Sequence, residues 1–85
     1  MEASTLGGVP GAGEARSRRQ PGGLREYRGA FAFHAEHEPA IVQLLESGDL
    51  VEYEGPVDGQ RRRLKARLTD LSLKTGMAYF QGSAE

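Results

Sequence analysis

Eighty-five residues hold one domain at most, and the absence of cysteine excludes disulfides and thiolate metal sites. A net charge of −1 and a pI of about 6.1 supply no overall basic field to draw in nucleic acid. No apolar run approaches the roughly 20 residues of a membrane span, and no basic stretch followed by an apolar one marks a signal peptide. Residence in the cytoplasm, or within a larger particle, is the expectation.

Residues 1–23, MEASTLGGVPGAGEARSRRQPGG, are rich in glycine and poor in large apolar side chains. Glycine loses the most entropy on ordering, and little here could be buried to offset that loss. The composition predicts a disordered Gly/Arg-rich arm, with Arg16, Arg18 and Arg19 as a small basic patch that orders on a partner or on a phosphate backbone. Residues 24–82 are expected to form a single small α+β domain, and residues 83–85 a tail.

Across residues 24–35, Tyr27, Phe31 and Phe33 share one parity, which predicts a strand with one apolar face. Residues 38–48 read as a helix. Pro39 suits the first turn, Ile41, Leu44 and Leu45 make the stripe, and Gly48 stops it. Val51 and Tyr53 then point one way and Glu52 and Glu54 the other. Residues 55–60 form a turn or short loop. Leu64, Ala66 and Leu68 share one face of the next strand, and Arg63, Lys65 and Arg67 the opposite one.

Folding 50–54 back on 61–69 sets Tyr53 against Leu64 and Val51 against Ala66. The same register sets Glu54 against Arg63 and Glu52 against Lys65, so that apolar meets apolar and acid meets base. The parity breaks after Leu68, which predicts a bulge or corner at Thr69–Asp70. Residues 74–76 turn, and 77–80 make a last short strand. The predicted fold is a small β-rich domain of about four short strands, able to close part-way into a barrel, with one short helix across an open end.

No constellation looks arranged for catalysis, and the chain is expected not to be an enzyme and to need no cofactor. Ser47 and Ser72 lack a nucleophile context, and the glycines of GGVPGAG do not lie between a strand and a helix. His34, Glu36, His37 and Glu38 resemble a metal cluster in composition, but two histidines at a strand-to-helix junction fall short of the usual ligand set, and no metal site is predicted. The most pointed feature is the basic run Arg61, Arg62, Arg63, Lys65 and Arg67. It reads either as a solvated face neutralised by Glu52 and Glu54, or as a site for phosphate, nucleic acid or an acidic protein surface.

Two stretches resemble known families. Leu44-Leu45-Glu46-Ser47-Gly48, Leu50-Val51, Asp58, Arg61-Arg62, Leu68-Thr69 and Gly76 resemble the recognition-helix end and wing of MarR-type winged-helix repressors. That resemblance implies DNA binding, with Arg61 and Arg62 in the minor groove. Asp70, Ser72 and Gly76 resemble the Asp-x-Ser-x-x-Gly signature of PilZ domains, and Arg63 and Arg67 have that family's Arg-x-x-x-Arg spacing. This second resemblance implies cyclic di-GMP binding.

A core of about 60 residues buries only about 60% of its unfolded surface, so stability gained from a partner is expected. The leading expectation is a non-enzymatic interaction or assembly module whose arm orders on a protein partner or a second copy, without a membrane. Nucleic-acid binding through Arg61–Arg67 and a PilZ-like dinucleotide site are the alternatives.

Overall fold

The computed structural model describes residues 2–23 and 25–84. Met1 of the predicted arm, Leu24 of the predicted first strand and Glu85 of the predicted tail lie outside the described residues. The elements run β1 (Glu2–Leu6), β2 (Val9–Arg19), β3 (Arg25–Ala32), α1 (Glu38–Ser47), β4 (Val51–Val57), β5 (Gln60–Ser72) and β6 (Met77–Ala84), with one 3₁₀ turn at Ala35–His37 before the helix. The six strands form a small β-rich domain, a closed barrel in the order β1-β2-β3-β6-β5-β4.

The disordered arm is overturned. Its residues are the first two staves of the barrel, joined through Gly7 and Gly8 and paired Glu2 with Gly13 through Leu6 with Val9. Ser4, Leu6, Val9 and Ala15 face inward and are buried. The glycines that read as disorder serve close packing. A Cβ on Gly13 would lie 2.9 Å from the Ala30 carbonyl oxygen and 3.2 Å from ring carbons of both Phe31 and Tyr53. The side-chain space that β2 leaves empty is thus filled by rings from β3 and β4, a use of glycine that its own segment cannot reveal.

The β4–β5 register agrees with the expectation pair by pair, from Val51 with Ala66 to Glu54 with Arg63. The predicted loop at 55–60 is shorter than expected. Pairing continues to Val57 and Gln60, leaving Asp58 and Gly59 as a two-residue turn with φ of 52° and 81°. Positive φ at both central residues is what the right-handed twist of a tight hairpin demands, and Asp-Gly is the sequence that supplies it. The bulge falls between Leu68 and Asp70, where the parity breaks. The tail is overturned as well, since Ser83 pairs with Lys65 and Ala84 with Leu64 in β6. β6 is held between β3 and β5 as far as Gly82, and Ser83 and Ala84 extend its ladder with the long strand β5 alone.

The barrel interior holds Tyr27, Phe31, Tyr53, Leu64, Leu68 and Phe80. Tyr53 and Phe80 lie on strands separated by β5, and their rings meet across the interior at 4.6 Å between centroids. Helix α1 starts at Glu38 with proline in its first turn and ends at Gly48, whose φ of 67° is the left-handed stop. Ile41 is fully buried, and Leu44 and Leu45 are partly buried against the core. Leu44 reaches the Gly7 turn, beside which Val51 also lies, and this lays the helix over the barrel end where β1 becomes β2 and β4 begins. No helix of the described residues is long and apolar enough to cross a membrane.

Candidate functional site

The end of the barrel opposite α1 is where most of the arginines converge. It is built by the β2–β3 hairpin and the β4–β5 turn. Along the hairpin, Arg16 opposes Arg28, Arg18 opposes Glu26 and Arg19 opposes Arg25. Arg16, Arg18 and Arg28 share the outward parity and are exposed, while Ser17 and Tyr27 share the inward one. Like charges set directly opposite each other repel, so Arg16 and Arg28 form a pair that the fold by itself gains nothing from. Residues Arg16 to Arg28 carry five arginines and one glutamate, a net +4, in a chain of net −1, so the remainder carries −5.

Asp58 ties the two parts together. Its backbone N–H donates to the Ala15 carbonyl at 2.9 Å. Its carboxylate accepts from the Ser17 N–H at 2.9 Å and from the Ser17 hydroxyl at 2.6 Å. Arg25 approaches the same serine hydroxyl at 3.5 Å. The Ser17 hydroxyl and then its N–H hold the Asp58 carboxyl below the usual carboxylate range, with Arg25 and Arg62 adding to the effect. Glu26 is lowered in the same direction, first by the hydrogen bond from Arg28 at 3.1 Å, which outweighs the opposing cost of burial, with the hydrogen bonds from Gln81 and Gln20 adding smaller contributions.

Both shifts are downward, so their contribution is present above the ordinary carboxylate titration and is lost as the pH falls through the lowered values. The Ser17 amide resonance is expected to report this. Its acid titration should have a midpoint below the usual aspartate value of about 3.9, and Asp58→Asn should abolish the transition. A midpoint at or above the usual value would mean that the clamp between Ser17 and Asp58 is not formed.

The predicted basic strand divides. Arg61 donates to the Ala3 carbonyl at 2.8 Å and lies 3.7 Å from Glu54. Arg63 lies 3.5 Å from the other oxygen of Glu54. Arg62 has the inward parity at the barrel mouth, where its charge acts on Asp58. Lys65 is exposed and stands opposite Glu52 and Ser83. Arg67 belongs to the other end, donating from Nε to the Gly48 carbonyl at 2.6 Å and capping α1. The five residues therefore do not make one surface. By contrast, the structure brings Arg16, Arg18 and Arg19 beside Arg25, Arg28 and Arg62. Among the described residues none forms a hydrogen bond or ion pair with the side chains of Arg16, Arg18 or Arg19.

Arg25, Arg28 and Ser17 were not singled out from the sequence, and Asp58 entered only as part of the wing-like hairpin. The signal existed, since Arg16–Arg19 and Arg25–Arg28 flank Gln20-Pro21-Gly22-Gly23, a turn sequence that predicts a hairpin and sets the two basic runs face to face.

The remaining motifs are placed as follows. The hairpin resembling a winged-helix wing is two staves of the closed barrel, with its tip tied to β2, and the described residues hold one α-helix rather than the set a winged helix needs. Asp70 bonds the N–H of Leu71 at 2.8 Å, and Gly76 donates to the Ser72 carbonyl at 2.9 Å. The hollow beside Asp70 is lined by Arg28, Thr69, Tyr79, Phe80 and Gln81 rather than by Arg63 and Arg67. His34 and His37 lie on the 3₁₀ turn, where the His37 N–H donates to the His34 carbonyl at 2.9 Å. No group of three or more histidine or acidic side chains among the described residues is placed to hold a metal. No protein-family model, curated protein or solved structure matches this chain.

Proposed function

We propose that the chain is a small non-enzymatic interaction module that takes an anionic partner on the arginine-rich end of its barrel. One observation carries this reading: Arg16, Arg18 and Arg19 are exposed and, among the described residues, unengaged on a hairpin of net +4, next to the like-charged Arg25, Arg28 and Arg62. Unpaired cations gathered on one surface raise the local concentration of anions and speed their arrival. The segment does not act as an arm that orders on arrival. It is a hairpin clamped by Asp58, so binding loses little conformational entropy.

A cyclic dinucleotide fits less well, because Arg63 is engaged with Glu54 and Arg67 with Gly48. Assembly through an apolar face has weaker support, since Leu50 and Leu73 are exposed at 57% and 53% and scattered apolar residues of this kind are ordinary. Titration with heparin, a polyanion without base or sequence information, tests the reading. Binding at low salt that weakens steeply as salt is added, and that is lost when Arg16, Arg18 and Arg19 are changed together to glutamine, is the expected result. Heparin binding that is absent at low salt, or unchanged in that variant, would overturn it.

A further inference from the structure

We propose that the anionic partner is B-form DNA, and that the β2–β3 hairpin from Arg16 to Arg28 enters its major groove as a two-stranded ribbon. The proposal rests on the preceding reading of this hairpin as the anion-binding surface.

The shape of the hairpin suits a duplex groove. Pairing of β1 with β2 ends at Gly13, and pairing of β3 with β6 begins at Tyr27. Ala15 still pairs with Val57 of β4, and beyond Ala15 and Tyr27 the hairpin is held by its own ladder to Arg19 and Arg25, with Asp58 bracing Ser17 from the side. Arg18, Arg19, Arg25 and Glu26 therefore stand past the barrel wall, with Arg16 and Arg28 at the base of the hairpin, in a molecule measuring 40 × 25 × 20 Å. Two strands lie about 4.8 Å apart. The major groove is about 12 Å wide and admits a β-ribbon, which leaves room for long side chains on the ribbon face.

The composition of the outward face disfavours other partners. Its described residues Arg16, Arg18, Glu26 and Arg28 are all charged, and Glu26 is ion-paired with Arg28 and accepts hydrogen bonds from Gln20 and Gln81. A protein interface is organised around a buried aromatic or aliphatic anchor, and its centre is depleted in charge. Among the described residues no such anchor stands on this face. Single-stranded nucleic acid is held by aromatic platforms on which bases stack. The one aromatic residue of the segment, Tyr27, is buried at 3% exposure in the barrel. What remains is a rigid ribbon of guanidinium groups with a glutamine near its tip. These are the groups that hydrogen-bond phosphates and the major-groove edges of guanine and adenine. An RNA duplex offers a major groove too narrow and deep for such a ribbon, so DNA is the favoured duplex.

The experiment is fluorescence anisotropy of the full chain with a short mixed-sequence DNA duplex, the same sequence as an RNA duplex and as a DNA single strand, and unlabelled heparin as competitor. The expected result is that duplex DNA binds about tenfold or more tighter than the other two nucleic acids. Neutralising about four phosphates should make its affinity fall by about two orders of magnitude between about 50 and about 200 mM salt. Changing Arg16, Arg18 and Arg19 together to glutamine should flatten the salt slope by about 0.9 per lost phosphate contact. Arg18→Gln alone should lower affinity measurably, whereas Lys74→Gln, on the opposite end, should leave it unchanged. Methylating guanine N7 in the duplex, which blocks the major-groove edge, should weaken binding. Circular dichroism of each variant checks that the barrel is intact.

Equal or tighter binding of the single strand or the RNA duplex overturns the groove proposal while leaving the anionic-partner reading standing. So does heparin binding without duplex binding, or indifference to N7 methylation. Failure to bind heparin and every nucleic acid at low salt overturns both.

Discussion

Phe80→Ala is expected to destabilise the barrel by about 3–5 kcal/mol, the range for removing a buried aromatic ring. Phe80 is 2% exposed, and its ring lies 4.6 Å from that of Tyr53 across the interior. A chain of this size has a total stability of roughly 4–13 kcal/mol. The loss should therefore lower the melting temperature by about 15–30 °C, read by thermal circular dichroism. Phe80→Leu, which keeps most of the buried area, should lose a clear minority of that. A drop below about 1 kcal/mol for Phe80→Ala would mean that the rings do not meet inside the barrel across β5.

The parts of this fold that were legible in the sequence are those in which a strand carries its own evidence. In β4 and β5 the large apolar residues alternate with charges, so Tyr53 finds Leu64 and Glu54 finds Arg63 without reference to anything else in the chain. Helix α1 is legible for the same reason, with its stripe and its Pro39 and Gly48 boundaries all local. Strands β1 and β2 are the reverse case. The inward positions of β2 past Val9 are Gly11, Gly13 and Ala15, which carry almost no apolar area of their own. What they contribute is room, and that room is filled by Phe31 and Tyr53 from other strands. A residue that contributes by being absent has no signature in its own segment, and composition then reads as disorder.

The candidate site was legible in pieces. The basic character of Arg16, Arg18 and Arg19, and of the run from Arg61 to Arg67, stands in the sequence. Which arginines share a surface does not, because that depends on how the barrel closes. Closure sets Val57 beside Ala15, which carries the Asp58 turn to Ser17 and places Arg62 near Arg25. The same closure sends Arg67 to the helix end, although it is only a few residues from Arg63. Chain neighbours were separated and distant basic runs joined, so the surface had to be redrawn around the β2–β3 hairpin.

Gly29→Ala tests this account of small residues as room for rings. Gly29 stands opposite Ala15 on one side and Phe80 on the other. A Cβ there would fall well inside contact distance of the Phe80 ring tip and 2.7 Å from the Glu14 carbonyl oxygen. Overpacking of this kind typically costs about 1–3 kcal/mol, and here one neighbour is backbone and cannot swing away. The two substitutions should therefore be coupled. In the Phe80→Ala background the ring is gone and the added methyl fills part of the space it leaves. Gly29→Ala should then cost less than in the native protein, with an interaction of about 0.5–3 kcal/mol in the double-mutant cycle. A residual cost should persist, because the Glu14 carbonyl remains where it was. The cycle is read by urea denaturation of the four proteins under one condition. Strict additivity would show that Phe80 does not occupy the space above Gly29, and the packing rationale for the glycines of the first three strands would fall with it.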